Sequence, residues 1–323
     1  MTTSTRHLVD PDLLGFLDGF PPLVLSADNL EAVREATRQE SQLLPDTEAA
    51  VQMTRRSAPG PKGAPDVDVL IYRPQAETRL LPCILHMHGG GFVFGAPDAD
   101  RRQHRIMAAE LSCCVVSVDY RLAPETPFPG AIEDCYAVLA WLMANAETLG
   151  VDPARIGVMG ESAGGGLAAA LALLARDRAE HRPAFQHLIY PMLDDRTAEP
   201  PHPYAGEFIW TAHNNQFGWA ALLRGQAGSD EVSPYAAPAR ALDLSRLPPT
   251  FIATGALDLL AQENLDYARR LMSAGVSVEL HLYPGAFHAF DYDPYALVSR
   301  KARDDSRAAL RRALHRGPPD LSI

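Results

Sequence analysis

A serine lies in a short motif whose residue types suit nucleophilic catalysis. Residues 160–164 read Gly-Glu-Ser-Ala-Gly, and this G-x-S-x-G pattern stands between an apolar run and a stretch rich in helix-forming residues. The sequence therefore predicts a strand, a tight turn and a helix, with Ser162 in the turn. Glycine at both ends fits a turn too tight for a Cβ, which would hold the serine in a strained conformation with its hydroxyl exposed. The motif predicts that Ser162 is a nucleophile.

Three consecutive glycines follow an earlier predicted strand. Residues 88–92 read His-Gly-Gly-Gly-Phe. Such a run is entropically costly, which indicates that some group approaches the backbone closely. The glycine N–H groups, together with that of Ala163, could bind the oxyanion that forms when a nucleophile attacks a carbonyl. A flexible loop is the alternative, but the aromatic and apolar residues that frame the glycines favour an oxyanion hole.

A candidate acid and a candidate base follow two later predicted strands. Asp258 comes after the strand at 250–255, and His288 comes after the strand at 276–283. In one recurrent arrangement of serine hydrolases the acid and then the histidine follow the nucleophile along the chain. Each residue alone is a weak signal, because an aspartate after a strand is more often a helix cap and His281 is a competing histidine. His281 lies inside its predicted strand, so His288 is the preferred base.

Short apolar runs alternating with helix-length segments must position these residues. Strands that are apolar on both faces, with helices between them, indicate a mainly parallel sheet covered on both sides, and hence an α/β fold. The predicted strands are 67–74, 83–88, 114–120, 155–160, 185–190, 250–255 and 276–283, and the predicted helices are 99–111, 131–148, 162–179 and 261–274.

Two segments are predicted to form a helical cap over one end of the sheet. Residues 26–44 have the pattern of an amphipathic helix, and residues 195–225 interrupt the alternation of strands and helices with prolines and bulky aromatic residues. A surface excursion with its own small core is the alternative for the insertion. The predicted domains are a cap segment at 1–50 and a catalytic domain at 51–323 that contains the insertion. Candidate substrate-binding residues of the insertion are Phe208, Trp210 and Phe217.

Composition and charge narrow the class of partner. The chain has 323 residues, of which 47% are apolar and 21% charged, the balance of a globular protein. Its 29 basic and 40 acidic residues give a net charge of −11, which argues against nucleic acid or an anionic membrane as the main partner. No apolar run approaches the length that spans a bilayer, and the first 25 residues do not read as a secretion signal. A cytoplasmic location without membrane contact is therefore predicted.

The histidines and cysteines do not predict a metal centre. His86 and His88 alternate along a predicted strand and are candidate ligands, but the sequence offers no third ligand beside them. No metal is therefore predicted. Buried free thiols are expected for the four cysteines, which lie in apolar runs without a C-x-x-C pair: Cys83, Cys113, Cys114 and Cys135.

With these motifs the chain resembles the hormone-sensitive-lipase-like family of α/β-hydrolases, and bacterial carboxylesterases of that type in particular. Two positions depart from the family pattern. Glu161 stands where Asp or Thr usually precedes the serine, and Leu259 and Gln262 replace Pro and Asp in the stretch after the acid. Neither departure changes a reacting atom. They therefore bear on the sub-branch of the family and on the identity of the substrate, and not on the chemistry. The matching pieces, from about residue 67 to 293, are HGGGF at 88–92, YRLAPE at 120–125, PFPGAIED at 127–134, GESAGG at 160–165, YPMLD at 190–194, SPY at 233–235, LPP at 247–249 leading into Asp258, and PGAFH at 284–288.

The resemblance implies an α/β-hydrolase fold and a serine carboxylic-ester hydrolase that works through an acyl-enzyme intermediate. It implies that Ser162 is the nucleophile, His288 the general base and Asp258 its partner. The implied oxyanion donors are the N–H groups of Gly90, Gly91 and Ala163.

The expected substrate is a short- to medium-chain carboxylic ester, with no cofactor, and a homodimer is left open. An amidase or a lactonase would use the same triad and is an alternative. A non-catalytic small-molecule receptor of the same fold is another. Such receptors keep the glycine and serine motifs but lose the catalytic histidine, whereas His288 is present here within its full motif.

Overall fold

One sheet organises the part of the chain described by the structure, a computed structural model that covers residues 4–20, 22–43, 50–75, 77–197 and 202–315. Across these residues the sheet has eight strands, in the order β1-β2-β4-β3-β5-β6-β7-β8. The strands are β1 (Val51–Ala58), β2 (Val67–Pro74), β3 (Leu81–Met87), β4 (Cys114–Val118), β5 (Val151–Glu161), β6 (Gln186–Ile189), β7 (Thr250–Gly255) and β8 (Val278–Tyr283).

The sheet is mainly parallel, as predicted. Strand β2 runs antiparallel to both of its neighbours, β1 and β4, and the other neighbouring strands are parallel. Seven of these strands were expected from their apolar runs, and β1 was not. Only its two terminal residues, Val51 and Ala58, are buried, because β1 is an edge strand, so it lacks the apolar pattern of the central strands.

Helices cover both faces of the sheet. On one face α4, α5 and α7 pack around a large apolar core, and on the other α3 and α8 enclose a second core. This arrangement confirms the predicted α/β-hydrolase fold. The helices are α1 (Leu14–Gly19), α2 (Leu30–Leu43), α3 (Arg101–Leu111), α4 (Gly130–Ala144), α5 (Ala163–Arg178), α6 (Ala212–Leu222), α7 (Ala261–Ser273) and α8 (Leu297–His315).

The N-terminal segment contacts the insertion through side chains of α6. The side-chain amide of Asn214 accepts a hydrogen bond from the Leu25 N–H and donates one to the Leu23 carbonyl, each 2.9 Å long. The ring of His213 lies 2.8 Å from the Leu25 carbonyl oxygen. Asn214 is fully buried, so its amide needs these partners. These hydrogen bonds join two segments that lie far apart in the sequence.

Helix α2 is anchored to the body of the protein by Arg34. Its guanidinium donates hydrogen bonds to the carbonyl oxygens of Val93 and Ala123 and forms an ion pair with Glu125. The helix begins at Leu30 rather than at residue 26 as predicted, because residues 26–29 form a turn closed by a hydrogen bond from the Leu30 N–H to the residue 26 carbonyl.

A buried ion pair ties the start of the insertion to the chain that follows it. The Asp195 carboxylate accepts hydrogen bonds from Nε and Nη2 of Arg240, at 2.5 and 2.9 Å, and from the Gly228 N–H at 2.6 Å. The aspartate side chain is fully buried and that of Arg240 is 10% exposed. A pair that is hydrogen-bonded and withdrawn from water in this way is costly to break from one side.

We expect Asp195→Ala to lower the free energy of unfolding by about 3–5 kcal/mol, because it leaves the guanidinium of Arg240 buried without its counter-ion. Urea denaturation measures this change. The matched control is Asp266→Ala, which removes an ion pair whose partners are 53% and 66% exposed, and whose loss should cost about 1 kcal/mol or less. Equal losses for the two variants would contradict the prediction.

All four cysteines are buried and free, as predicted. Within the described ranges, no helix is both long and apolar enough to cross a membrane.

Candidate active site

Ser162 stands at the sharp turn between β5 and α5. Its backbone lies at φ 55° and ψ −121°, a conformation that costs energy for a residue with a Cβ. The flanking glycines make the turn possible. A methyl group at Gly160 would lie 2.3 Å from the Gly164 carbonyl, and one at Gly164 would lie 2.0 Å from the Met87 carbonyl oxygen. The predicted strand–turn–helix context of the motif is therefore present.

Ser162, His288 and Asp258 lie in one hydrogen-bonded line. The serine Oγ is 3.0 Å from Nε2 of His288, and Nδ1 of the same ring is 2.7 Å from Oδ2 of Asp258. The other oxygen of this carboxylate accepts a hydrogen bond from the Leu260 N–H, which fixes its orientation. All three side chains are buried. The competing His281 lies within β8. Its ring contacts the carboxylate of Glu279 on the same strand and that of Asp305 on α8.

The glycine loop after β3 adopts backbone conformations that require glycine. Gly90 has φ 118° and Gly91 has φ 59°. A methyl group at Gly90 would lie 2.2 Å from the Phe94 carbonyl oxygen, and one at Gly91 would lie 2.2 Å from the ring of Trp210. Within the described part of the chain, the N–H groups of Gly90, Gly91 and Ala163 have no hydrogen-bond acceptor, so they are free to bind a ligand atom.

His88 holds this loop from behind. Its Nδ1 lies 2.8 Å from the Gly89 carbonyl oxygen, and its ring stacks on Tyr120 at 4.2 Å between centroids. Tyr120 in turn donates a hydrogen bond to the His88 carbonyl. Burial lowers the pKa of His88 to about 4, because the interior disfavours the charged ring. A neutral His88 therefore supports the loop.

One aromatic residue of the insertion, Trp210, lies beside the triad. The Trp210 ring centroid lies 6.1 Å from that of His288, and its Nε1 donates a hydrogen bond to Asn215. Phe208 packs on Phe287 at 6.0 Å between centroids. Phe217 is half-buried against the larger core. Of the three predicted insertion residues, the structure therefore brings Trp210 closest to the triad, and the contact of Phe208 is with the residue before His288.

Tyr190 is a site residue that sequence reasoning missed. Its ring centroid lies 4.6 Å from that of His288, and its hydroxyl donates a hydrogen bond of 2.7 Å to Asp291. It follows β6 directly, with φ 33°. The strand-end position that singled out Asp258 and His288 also applies to Tyr190 and was the available signal. Burial raises the pKa of its hydroxyl well above the ordinary value, so Tyr190 is a neutral wall of the site.

Behind the serine, Glu161 belongs to a polar cluster. Its carboxylate lies 2.7 Å from Nε2 of His86, whose Nδ1 lies 3.0 Å from the Ser117 hydroxyl. Burial lowers the pKa of His86, but the charge and hydrogen bond of Glu161 outweigh it, and the pKa is raised. Burial, and then the nearby Glu161, raise the pKa of Asp100 to about 6. Sequence reasoning noted His86 and the unusual Glu161 separately and missed that they meet.

Similarity to known proteins was found along most of the chain. Residues 84–292 match a family model described as alpha/beta hydrolase fold. Carboxylesterase NlhH of Mycobacterium tuberculosis is 37% identical over 97% of this chain and 98% of its own length. Among solved structures, Bacterial Heroin Esterase superimposes with a TM-score of 0.91 at 39% identity, over 97% of this chain and 100% of that one. Esterase LipW from Mycobacterium marinum gives 0.85 at 37% identity, over 96% and 98%.

A mainly parallel sheet with a serine at a strand–turn–helix junction, followed by an aspartate and a histidine past later strands, defines the class of α/β-hydrolases. The chain belongs to this family, in its hormone-sensitive-lipase-like branch. The resemblance stated from the sequence motifs is thus confirmed over nearly the whole chain.

Proposed function

We propose that the protein hydrolyses short- to medium-chain carboxylic esters with Ser162, His288 and Asp258 as its catalytic triad. The observation that carries the proposal is the hydrogen-bonded line from the serine Oγ through both ring nitrogens of His288 to the carboxylate. Three relatives that are 36–39% identical to this chain are named as esterases or carboxylesterases. The protein is accordingly a serine hydrolase of carboxylic esters.

The reaction proceeds in two halves. Nε2 of His288 takes the proton as Ser162 Oγ attacks the ester carbonyl carbon, and the same nitrogen then protonates the departing alcohol as the ester C–O bond breaks. Water repeats the sequence on the acyl-enzyme, releasing the carboxylic acid and the free serine. Asp258 holds the imidazole in the required orientation and stabilises its charged form.

In this proposal the oxyanion binds to the N–H groups of Gly90, Gly91 and Ala163. These groups have no acceptor within the described residues, and Ala163 opens helix α5, whose N-terminus favours negative charge. Because they are fixed before the substrate arrives, they stabilise the transition state without a cost of reorganisation.

The cap of the proposed enzyme combines residues 1–50 with the insertion at about 195–225. Supporting this division are the hydrogen bonds between Asn214 and the backbone of Leu23 and Leu25. Trp210, with Phe208 and Phe217 as further candidates, forms the substrate-binding wall. A closed wall of bulky side chains beside the triad suits a short acyl chain better than a long one.

We expect kcat/KM to rise with acyl length up to about hexanoyl and to fall beyond it. Each buried CH₂ contributes about 0.8 kcal/mol until the pocket is full, and further carbons must distort the pocket or remain in water. Measuring kcat/KM for p-nitrophenyl acetate, butyrate, hexanoate, octanoate, decanoate and palmitate checks this. If palmitate were the best substrate, or if the rate jumped above the solubility limit of the substrate, the closed-pocket proposal would be wrong and the protein would be a true lipase.

Amide or lactone cleavage on the same triad is the second candidate, since all three reactions pass through an attacked carbonyl. Treatment with an organophosphate probe, followed by peptide mass spectrometry, should place the label on Ser162. The labelled and unlabelled protein are then compared on matched ester, amide and lactone substrates. Ester rates that do not exceed the amide or lactone rates would assign the protein to the other class.

A receptor of the same fold is the remaining alternative. It is disfavoured by the hydrogen bonds that His288 makes to both Ser162 and Asp258, since a binding protein has no use for an activated serine. Failure of the organophosphate to label the protein would favour the receptor. The cytoplasmic location stays a prediction of the sequence, and a homodimer stays open.

A further inference from the structure

A cavity with several ionisable side chains on its wall lies behind the nucleophile turn, on the face of the sheet covered by α3 and α8. Its volume is about 90 Å³, and its walls include Asp100, His104, Glu161 and Tyr292. This is more space than the roughly 30 Å³ that one water molecule occupies in the liquid. The proposed ester-hydrolysis reaction uses none of these side chains.

Three side chains of metal-ligating type converge beside this cavity, and two of them, Asp100 and Glu161, line its wall. One ligand atom each from His86, Asp100 and Glu161 lie within 4.8 Å of one another. They come from the end of β3, the residue before α3 and the end of β5, so the pairing of β3 with β5 brings two of them together. Ligands of a tetrahedral Zn²⁺ lie about 2.0–2.2 Å from the ion. An ion between the three atoms would replace the 2.7 Å contact between Nε2 of His86 and the carboxylate of Glu161.

The far nitrogen of His86 is held as it is in metal-bound histidines. Nδ1 lies 3.0 Å from the Ser117 hydroxyl, which leaves Nε2 facing Glu161. Tyr292 similarly donates a hydrogen bond to Asp100 at 2.9 Å. Such outer partners fix the orientation of ligands before an ion arrives.

A fourth side chain at the cavity has an unused polar atom. His104 is 2% exposed, and its Nδ1 has no hydrogen-bond partner within the described ranges. Its ring centroid lies 4.3 Å from that of His86. A buried ring nitrogen without a partner is costly, and its position on the cavity wall points to a ligand inside.

Charge at the cavity also favours a cation. Three carboxylates face it, namely Asp100, Glu161 and Asp291. The two arginines on its wall are engaged elsewhere. Arg303 donates hydrogen bonds to the backbone carbonyls of residues 291, 293 and 294, and Arg307 lies 3.5 Å from Glu110.

We propose that His86, Asp100 and Glu161 form a binding site for a divalent transition-metal ion, with Zn²⁺ as the best match. One imidazole nitrogen and two carboxylate oxygens suit Zn²⁺ better than Mg²⁺, which prefers oxygen ligands alone. The third ligand that the sequence did not reveal beside His86 is supplied by the fold. The site lies behind the serine and takes no part in the proposed acyl transfer.

Isothermal titration calorimetry with ZnCl₂ on chelator-treated protein tests the proposal. We expect one equivalent of Zn²⁺ to bind, with Mg²⁺ at least tenfold weaker. Glu161→Gln and Asp100→Asn preserve shape while removing the ligand charge, and each should weaken Zn²⁺ binding at least tenfold. Thermal denaturation should show Tm rising with saturating Zn²⁺, by about 2–5 °C, in the unaltered protein but not in Glu161→Gln or Asp100→Asn.

Two control variants separate this site from other histidines. His281→Ala removes the half-buried histidine beside Glu279 and Asp305, and His288→Ala removes the histidine of the proposed triad. Both should bind Zn²⁺ as the unaltered protein does. Unchanged binding in both Glu161→Gln and Asp100→Asn, loss of binding in either histidine control, or no saturable binding at all would overturn the proposal. Because binding is read directly, the result does not depend on esterase activity.

Discussion

Replacing His288 by alanine is expected to lower kcat for ester hydrolysis by about 10⁴–10⁶-fold, and Ser162→Ala by a similar factor. Without the imidazole, nothing takes the proton from the serine Oγ, which lies 3.0 Å from Nε2. Asp258→Asn should cost about 10⁴-fold, because an amide cannot stabilise the charged ring and favours the wrong tautomer. Steady-state kinetics on p-nitrophenyl butyrate measure these losses.

His281→Ala is the matched control for this series. It removes a histidine from the edge strand β8, where the ring contacts Glu279 and Asp305 and not the serine. Its kcat should stay within about twofold of the unaltered enzyme, while Tm of all variants shows that they fold. A large loss in His281→Ala combined with an active His288→Ala would show that the base is misassigned.

Gly91→Ala is expected to lower kcat/KM by about 10²–10³-fold. The new methyl group would lie 2.2 Å from the Trp210 ring, so either the loop or the tryptophan must move. Losing one oxyanion donor costs about 3–4 kcal/mol of transition-state stabilisation in enzymes of this kind, and a displaced Gly91 N–H is such a loss. Kinetics on the same butyrate ester, with Tm as the check on folding, measure the effect.

Two further variants separate the clash from the backbone conformation. Gly63 also has a positive φ, 84°, but a methyl group there meets nothing within 4 Å, so Gly63→Ala should leave kcat/KM unchanged. Adding Trp210→Ala to Gly91→Ala removes the clashing ring and should restore part of kcat/KM. If the single variant Gly91→Ala retained full activity, Gly91 would not be an oxyanion donor.

Much of the architecture could be predicted because its causes are local. The central strands are buried on both faces, so runs such as 83–88 and 250–255 contain no Asp, Glu, Lys or Arg, and they match β3 and β7 closely. The glycines at 160 and 164 are required by contacts inside their own turn and with β3. Ser162, Asp258 and His288 each follow a strand, and parallel strands bring such positions to one edge of the sheet.

The remaining features depend on contacts between distant parts of the chain. Strand β1 is exposed along most of its length and therefore lacks an apolar pattern. It forms because its backbone pairs with β2, and this pairing cannot be read from the residues of β1 alone. The polar cluster needs Asp100, which is 14 positions beyond His86 and returns to it only through the fold. The position of Trp210 depends on the preceding residue, Ile209, whose backbone has φ 60°. A β-branched side chain disfavours this conformation, so the sequence does not predict it.

The hydrogen bonds of Asn214 to Leu23 and Leu25 have a consequence for protein engineering. Replacing the insertion by that of a related esterase, in order to change substrate preference, would exchange only one of the two segments that form this interface. The N-terminal residues of the host would then face a foreign α6, and their backbone groups would lose a buried amide partner. A chimera should therefore exchange the N-terminal segment and the insertion together. The hydrogen bond from Arg34 to the Val93 carbonyl, which attaches the N-terminal segment to the rest of the protein, should be preserved.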